Sequence, residues 1–254
     1  MGSCRVSENF RLRLRRGDRL IGTIVAIESP EVVEVLAGAG FDWLFIDAEH
    51  SPLSPQGVQR MVMAAGDVPC VVRVPANHEA WIKHVLDAGA AGIIVPLVNT
   101  AADAALAVRR AKYPPQGVRG VGPSRALGYG YGIADYVARA NQDTAVIVQA
   151  EHTHAVAAID EIAAVPGVDA IFVGPFDLSL SLGVPGQVDN PAVVAGIETV
   201  RLAAQRAGLA LGYFGVSPEA VQAWMTRGFN LVACGVDLMM LGAKAREIPT
   251  ILRD

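Results

Sequence analysis

Four short stretches of this 254-residue chain carry side chains suited to acid–base or metal chemistry: Asp47-Ala48-Glu49-His50, Val71-Val72-Arg73-Val74-Pro75, Gln149-Ala150-Glu151 and Gly174-Pro175-Phe176-Asp177. Glu151 and Asp177 could share a hard divalent cation, with water and substrate oxygens completing an octahedron. The competing assignment is helix N-capping, since Asp177 precedes Leu178-Ser179-Leu180 and Glu151 precedes a segment that Thr153 could cap. Two carboxylates at the ends of adjacent strands, with Gln149 beside them, favour the metal. His50 carries the group whose ordinary pKa lies nearest neutrality and is a candidate proton acceptor. Asp47 and Asp87 are both available to fix its tautomer. Arg73 is a fixed cation on an otherwise apolar run, which makes sense opposite an anion or in a structural ion pair with Asp47 or Glu49.

Lysine decides between two ways of activating a carbonyl. The three lysines, Lys83, Lys112 and Lys244, fall in helical segments or at their ends. A lysine imine on a barrel strand is therefore disfavoured, and a metal must polarise any carbonyl. His152 and His154 form an H-x-H pair, but the strand ends before them and no third histidine faces them, so zinc is disfavoured. His78 and His84 read as solvated or packing residues.

These groups need a scaffold that brings strand ends together. Apolar, β-branched runs predict eight strands: Leu20 to Ala26, Trp43 to Asp47, Cys70 to Val74, Gly92 to Pro96, Ala145 to Gln149, Ala170 to Val173, Ala210 to Phe214 and Leu231 to Cys234. Helical segments follow them at Glu31 to Ala39, Pro55 to Ala65, Glu79 to Ala88, Ala101 to Ala111, Ala155 to Ala164, Pro191 to Ala207, Pro218 to Arg227 and Leu238 to Leu252. Eight βα units in one chain of this length fit a single α/β domain over 1–254, a (β/α)8 TIM barrel, with 1–16 as an N-terminal helix or arm; an open doubly wound sheet is the main competitor. In such barrels chemistry sits at the C-terminal ends of the strands. The connection from Tyr113 to Ile133 is long for this scheme and reads as a functional lid. Its Gly120-Val121-Gly122 follows a helix rather than a strand, which argues against a dinucleotide cradle.

Composition excludes several partners. The chain is 52% apolar and 18% charged, with a net charge of −4 and no basic stripe, which argues against nucleic acid. Arg11, Arg13, Arg15 and Arg16 read as a solvated helix face. No uncharged stretch reaches the roughly 20 apolar residues that span a bilayer. Cys4, Cys70 and Cys234 are unpatterned and read as free thiols, and the expected location is the cytoplasm.

With these residues in view, the sequence resembles the metal-dependent pyruvate aldolases of the 4-hydroxy-2-oxoheptanedioate aldolase (HpcH/HpaI) family. The likeness runs through Leu36 to His50, Val71-Val72-Arg73-Val74, Leu86-Asp87-Ala88-Gly89-Ala90, Tyr113-Pro114-Pro115 with Arg119-Gly120-Val121-Gly122, Gln149-Ala150-Glu151 and Val173 to Ser179. It implies that Glu151 and Asp177 hold Mg2+, Mn2+ or Co2+, which chelates the carboxylate and keto oxygens of pyruvate. Gln149 and the backbone around Phe176 and Asp177 would seat that substrate. His50 would accept the proton, made more basic by Asp87, and Arg73 would stabilise the enolate oxygen. Cleavage of a 4-hydroxy-2-oxo acid would then release an aldehyde and pyruvate. The resemblance also implies a homohexamer with a C-terminal helix exchanged between subunits. His152-Thr153 and Phe176 depart from the family's usual small residues, Phe176 narrowing the pocket. A related acyl-CoA or citramalyl-type lyase, and a non-catalytic ligand-binding barrel, are the alternative functions. The first lacks a basic CoA-binding patch, and the second would not need the intact carboxylates and His50/Arg73 pair.

Overall fold

The computed structural model describes residues 8–253. Cys4 and the start of the expected N-terminal arm lie outside the described residues. Eight parallel strands close into a barrel in sequence order: β1 (Leu20–Val25), β2 (Trp43–Asp47), β3 (Cys70–Arg73), β4 (Gly92–Val95), β5 (Ala145–Ala150), β6 (Ala170–Val173), β7 (Ala210–Gly215) and β8 (Leu231–Val236). The open-sheet alternative is thereby excluded, because β8 pairs with β1.

Around the barrel run α1 (Phe10–Arg16), α2 (Pro30–Gly38), α3 (Pro55–Ala64), α4 (Glu79–Asp87), α5 (Ala101–Ala111), α6 (Ile133–Asp143), α7 (Thr153–Ala157), α8 (Ile159–Ala163), α9 (Pro175–Ser181), α10 (Pro191–Ala207), α11 (Pro218–Met225) and α12 (Asp237–Arg253). Ser29, Ser54, Thr100 and Ser217 cap α2, α3, α5 and α11 by accepting a backbone N–H in the first turn. The sequence-based helix from Ala155 to Ala164 is split at Ala158 into α7 and α8.

Alternation along each strand divides the apolar side chains into two layers. Leu44, Ile46, Val72, Val146, Val148, Ile171 and Val173 face outward against the helices. Trp43, Phe45, Val71, Ile147 and Phe172 fill the barrel interior. There Phe45 stacks on Trp43 at 5.8 Å between centroids and meets Phe172 edge-on at 5.6 Å. The Phe172 ring lies so close to Gly212 that a β-carbon there would come within 2.1 Å of it, so this strand position needs glycine. Phe10 and Leu14 of α1 close the end where the strands begin, and Arg11 anchors that helix through a 2.8 Å ion pair with buried Asp169.

The long connection before β5 is not a lid over this chain's own site. It leaves the C-terminal end of α5, and helices run back antiparallel to the strands, so it lies where the strands begin. Arg119 on it pairs with Asp87 at 2.7 Å, Arg125 donates to the Ala88 carbonyl at 2.8 Å, and the connection ends in α6.

Candidate active site

The same alternation aims the polar residues. On β2 the inward positions are Trp43, Phe45 and then Asp47; on β3 they are Val71 and Arg73; on β5 they are Ala145, Ile147 and Gln149, with Glu151 next in phase. Apolar packing fills the lower barrel, and polar side chains occupy the same inward track at the C-terminal end.

Arg73 and Asp47 are register partners on neighbouring strands. Arg73 Nε donates to Asp47 Oδ1 at 2.9 Å and its terminal nitrogen donates to Oδ2 at 2.7 Å, a two-pronged pair with both residues buried. Burial works to raise the Asp47 pKa, but Arg73 and the backbone N–H groups of Glu49 and His50 outweigh it and hold the carboxyl below its ordinary value. The guanidinium also lies 5.3 Å from the Phe45 ring centroid, which floors the site.

Glu151 is 4% exposed, and both its oxygens are engaged. Leu97 N–H donates to Oε1 at 2.8 Å, and the Gln149 amide donates to Oε2. Burial pushes the Glu151 pKa up, and the charge of Asp177 adds to the rise. Gly174 makes room for this arrangement, since a β-carbon there would stand 2.9 Å from Glu151 Oε2. Leu97 holds a left-handed φ of 52°, which costs a non-glycine residue roughly 1–2 kcal/mol and points its N–H at the carboxylate. No side-chain pattern marks Leu97, because its contribution is a backbone group.

Neither metal-candidate carboxylate caps a helix. Gly174 is the N-cap of α9, which places Asp177 inside the first turn, and His152 caps α7 through its own Nδ1, accepting from His154 N–H. That use of His152 argues further against an H-x-H zinc site. Among the described residues no group of three or more His, Cys, Asp or Glu side chains could hold a metal. A cation here would rest on two carboxylates, leaving its other positions to water and substrate, as a hard ion with oxygen ligands allows. The surroundings fit such an ion. Two mutually repelling carboxylates gain from a dication, and Gln149 Oε1 and Glu49 Oε2 are buried acceptors that no protein donor satisfies.

His50 stands at the rim, largely exposed, and Phe176 is 55% exposed beside Asp177. The carboxylate nearest His50 is Glu49, with Oε2 at 3.6 Å from Nε2. The expected support from Asp87 is corrected for a single chain. Asp87 is the last residue of α4, at the opposite end of the barrel, where it holds Arg119. The sequence marks Glu49 only as a possible ion-pair partner of Arg73. In the structure its Oε2 lies 3.2 Å from Arg73 Nε and it adjoins the charge of Glu151, and burial pushes its pKa up to about 7.

The lysines lie away from these strand ends. Lys83 is on α4, Lys244 is on α12, and buried Lys112 donates to the carbonyls of Asn141 and Thr144 next to the start of β5.

Residues 21–243 match the family model for HpcH/HpaI aldolase/citrate lyase. The chain belongs to that family. It is accordingly a carbon–carbon lyase of the aldolase type, and metal dependence is typical of the family. It is 37% identical over 244 residues to a hydroxypyruvate/pyruvate aldolase of Roseovarius nubinhibens, covering 95% of each chain. It is 38% identical over 238 residues to the 2-keto-3-deoxy-L-rhamnonate aldolase of Escherichia coli, covering 92% of this chain and 89% of that one. A crystal structure of an HpcH/HpaI aldolase/citrate lyase family protein from Burkholderia cenocepacia superimposes with a TM-score of 0.93 at 37% identity, covering 97% of this chain and 100% of that one. Among the described residues no helix is long and apolar enough to cross a membrane.

Proposed function

We propose that this HpcH/HpaI family member reversibly cleaves 4-hydroxy-2-oxo acids into pyruvate and an aldehyde, with Glu151 and Asp177 as ligands of a divalent ion, Mg2+, Mn2+ or Co2+. The reading is carried by the convergence of Asp47, Arg73, Gln149 and Glu151 on the inner track at the C-terminal end of the barrel, with no lysine among them. The names of the two aldolase relatives support it. When bound, the ion supplies Lewis-acid polarisation of the 2-oxo group. Gln149 and the backbone at Phe176 and Asp177 seat the pyruvate half. His50 takes the proton of the 4-hydroxyl as the C3–C4 bond breaks and the aldehyde departs. The electron pair passes to C3, and the Arg73 guanidinium stabilises the negative charge that develops on the enolate oxygen. Protonation at C3 completes pyruvate. Asp87 can support His50 only from a neighbouring copy, since within one chain it lies at the other end of the barrel. Phe176, packed towards Gly186, bounds the aldehyde side. The free buried Cys70 and unpaired Cys234 support a cytoplasmic location.

The test is a coupled assay of pyruvate release from 4-hydroxy-2-oxo acids of differing chain length and charge, with and without EDTA. Activity is expected to vanish on chelation and to return with added divalent ion. Turnover that survives complete metal removal, or an adduct trapped on lysine by borohydride, would refute the reading.

A homohexamer built by exchange of α12 is part of this proposal. Of α12 only Asp237 is buried; it ties the helix start to β1 by accepting from Ala26 and Ile27 N–H. Beyond it Leu241, Ile248 and Ile251 are exposed. A groove of about 650 Å³, lined by Ile21, Phe41, Val221, Met225 and Met240, remains where the eighth barrel helix would pack. The apolar face and the groove match in character, and α12 of a second copy would bury both. Light scattering is expected to give six times the chain mass for the wild type and a smaller species for Leu241→Glu/Ile248→Glu. An unchanged mass in that variant argues against the exchange.

A further inference from the structure

We infer that Glu49 anchors the outer sphere of the cation site: its Oε2 accepts a hydrogen bond from a water in the ion's coordination shell. This rests on the metal reading of Glu151 and Asp177 and assigns a role to a third carboxylate.

Arg73 already donates to Asp47 from two of its nitrogens. Its Nε hydrogen goes to Asp47 Oδ1 and a hydrogen of its terminal nitrogen to Asp47 Oδ2, and Asp47 alone already balances its charge. Glu49 Oε2 lies 3.2 Å from Arg73 Nε without receiving a hydrogen bond, and His50 Nε2 at 3.6 Å is beyond hydrogen-bond reach. A buried carboxylate oxygen is thus attracted by the Arg73 guanidinium on one side, adjoins the charge of Glu151 on another, and meets no protein donor. Such an oxygen is costly unless something donates to it.

The chain offers two carboxylates to the ion. A six-coordinate hard cation that also takes two oxygens of an oxo acid keeps about two positions for water. Each such water has two polarised hydrogens that need acceptors. Among the described residues, Glu49 Oε2 after β2, Asn99 Oδ1 after β4 and Gln149 Oε1 on β5 are buried acceptors at this end of the barrel without a protein donor, and of the three only Glu49 is a carboxylate. An ion-pair role alone leaves that oxygen unexplained, because Asp47 already performs it. Glu49 is therefore a positioning residue, acting on the ion through water, as outer-shell partners do at many metal sites.

The experiment titrates the metal-free protein with Mn2+, reading free Mn2+ by electron paramagnetic resonance and bound-water exchange by water-proton relaxation. Wild type is compared with Glu49→Gln, which keeps an oxygen acceptor, and with Glu49→Ala and Glu49→Met, which do not. Affinity is expected to fall about 10- to 100-fold in the Ala and Met variants, with faster exchange of the bound water, and much less in Glu49→Gln. Glu49→Met keeps the side-chain bulk if Glu49→Ala fails to fold. Wild-type affinity and exchange in a folded Ala or Met variant would overturn the inference and leave the metal reading intact. A Gln variant as weak as the Met variant would also overturn it, by showing that charge rather than the acceptor matters. Failure of the wild type to bind Mn2+ would sink the metal reading, and this inference with it.

Discussion

Replacing Arg73 with alanine is expected to lower kcat for pyruvate release by about 10²–10³-fold or more while Mn2+ binding persists. A preorganised donor aimed at developing charge is worth roughly 3–4 kcal/mol in a site shielded from water. Arg73 meets the structural conditions for that role: it is 8% exposed, cannot be deprotonated at working pH, and is held by both prongs of Asp47. The same pairing creates a confounding effect. Removing the guanidinium strands Asp47 as an uncompensated buried charge, which can cost about 3–5 kcal/mol of stability. Arg73→Lys and Arg73→Ala/Asp47→Asn separate the two effects. The double variant removes the stranded charge and should regain melting temperature without regaining turnover. The lysine variant keeps a cation but loses the planar fork, so kcat should recover only in part. Substantial activity in a folded Arg73→Ala protein would exclude the enolate role.

The second large effect is expected from Glu151→Gln: divalent-ion affinity falls by at least about 100-fold and activity is lost, yet the metal-free protein is as stable as the wild type or more so. The stability arm follows from the direction of the Glu151 pKa. Burial and the charge of Asp177 push it up, so its ionised form is disfavoured in the fold without a cation. A neutral isostere removes that penalty and can still accept from Leu97 N–H, although its amide then faces the Gln149 amide. Loss of function with retained or increased stability is the signature of a residue kept for chemistry rather than for folding. Calorimetry on the metal-free proteins and Mn2+ titration give the two readouts. Wild-type turnover in Glu151→Gln would remove the residue from the site, and a large loss of metal-free stability would make it structural.

The strands were legible because each is a short β-branched run between turn signals, and burial on both faces leaves little room for polar residues. Where a polar residue did interrupt such a run, as at Asp47, Arg73 and Gln149, function was the economical explanation, and the inward phase of those positions agrees with it. Helix α6 escaped because its Ile133-Ala-Asp-Tyr-Val-Ala-Arg-Ala-Asn-Gln-Asp sequence is largely polar and only Ala140 is buried. The connection before it does not cover this chain's own site, for a geometric reason. A loop that follows a helix in a βα barrel emerges at the end away from the strand C-termini, however functional its composition looks. The same rule puts Asp87, the last residue of a helix rather than of a strand, away from His50 within one chain.

By itself the sequence determined the fold class, the family and the side chains at each strand end, because alternation and strand length act within a few residues of chain. Tertiary structure alone decided which charges meet. Asp47 holds Arg73, Glu49 rather than Asp87 adjoins His50 within one chain, and the Leu97 N–H reaches Glu151 across 54 positions. Such pairings depend on barrel closure, helix direction and a single left-handed residue. These set distances between segments far apart in the chain, and no local pattern of residue types encodes them.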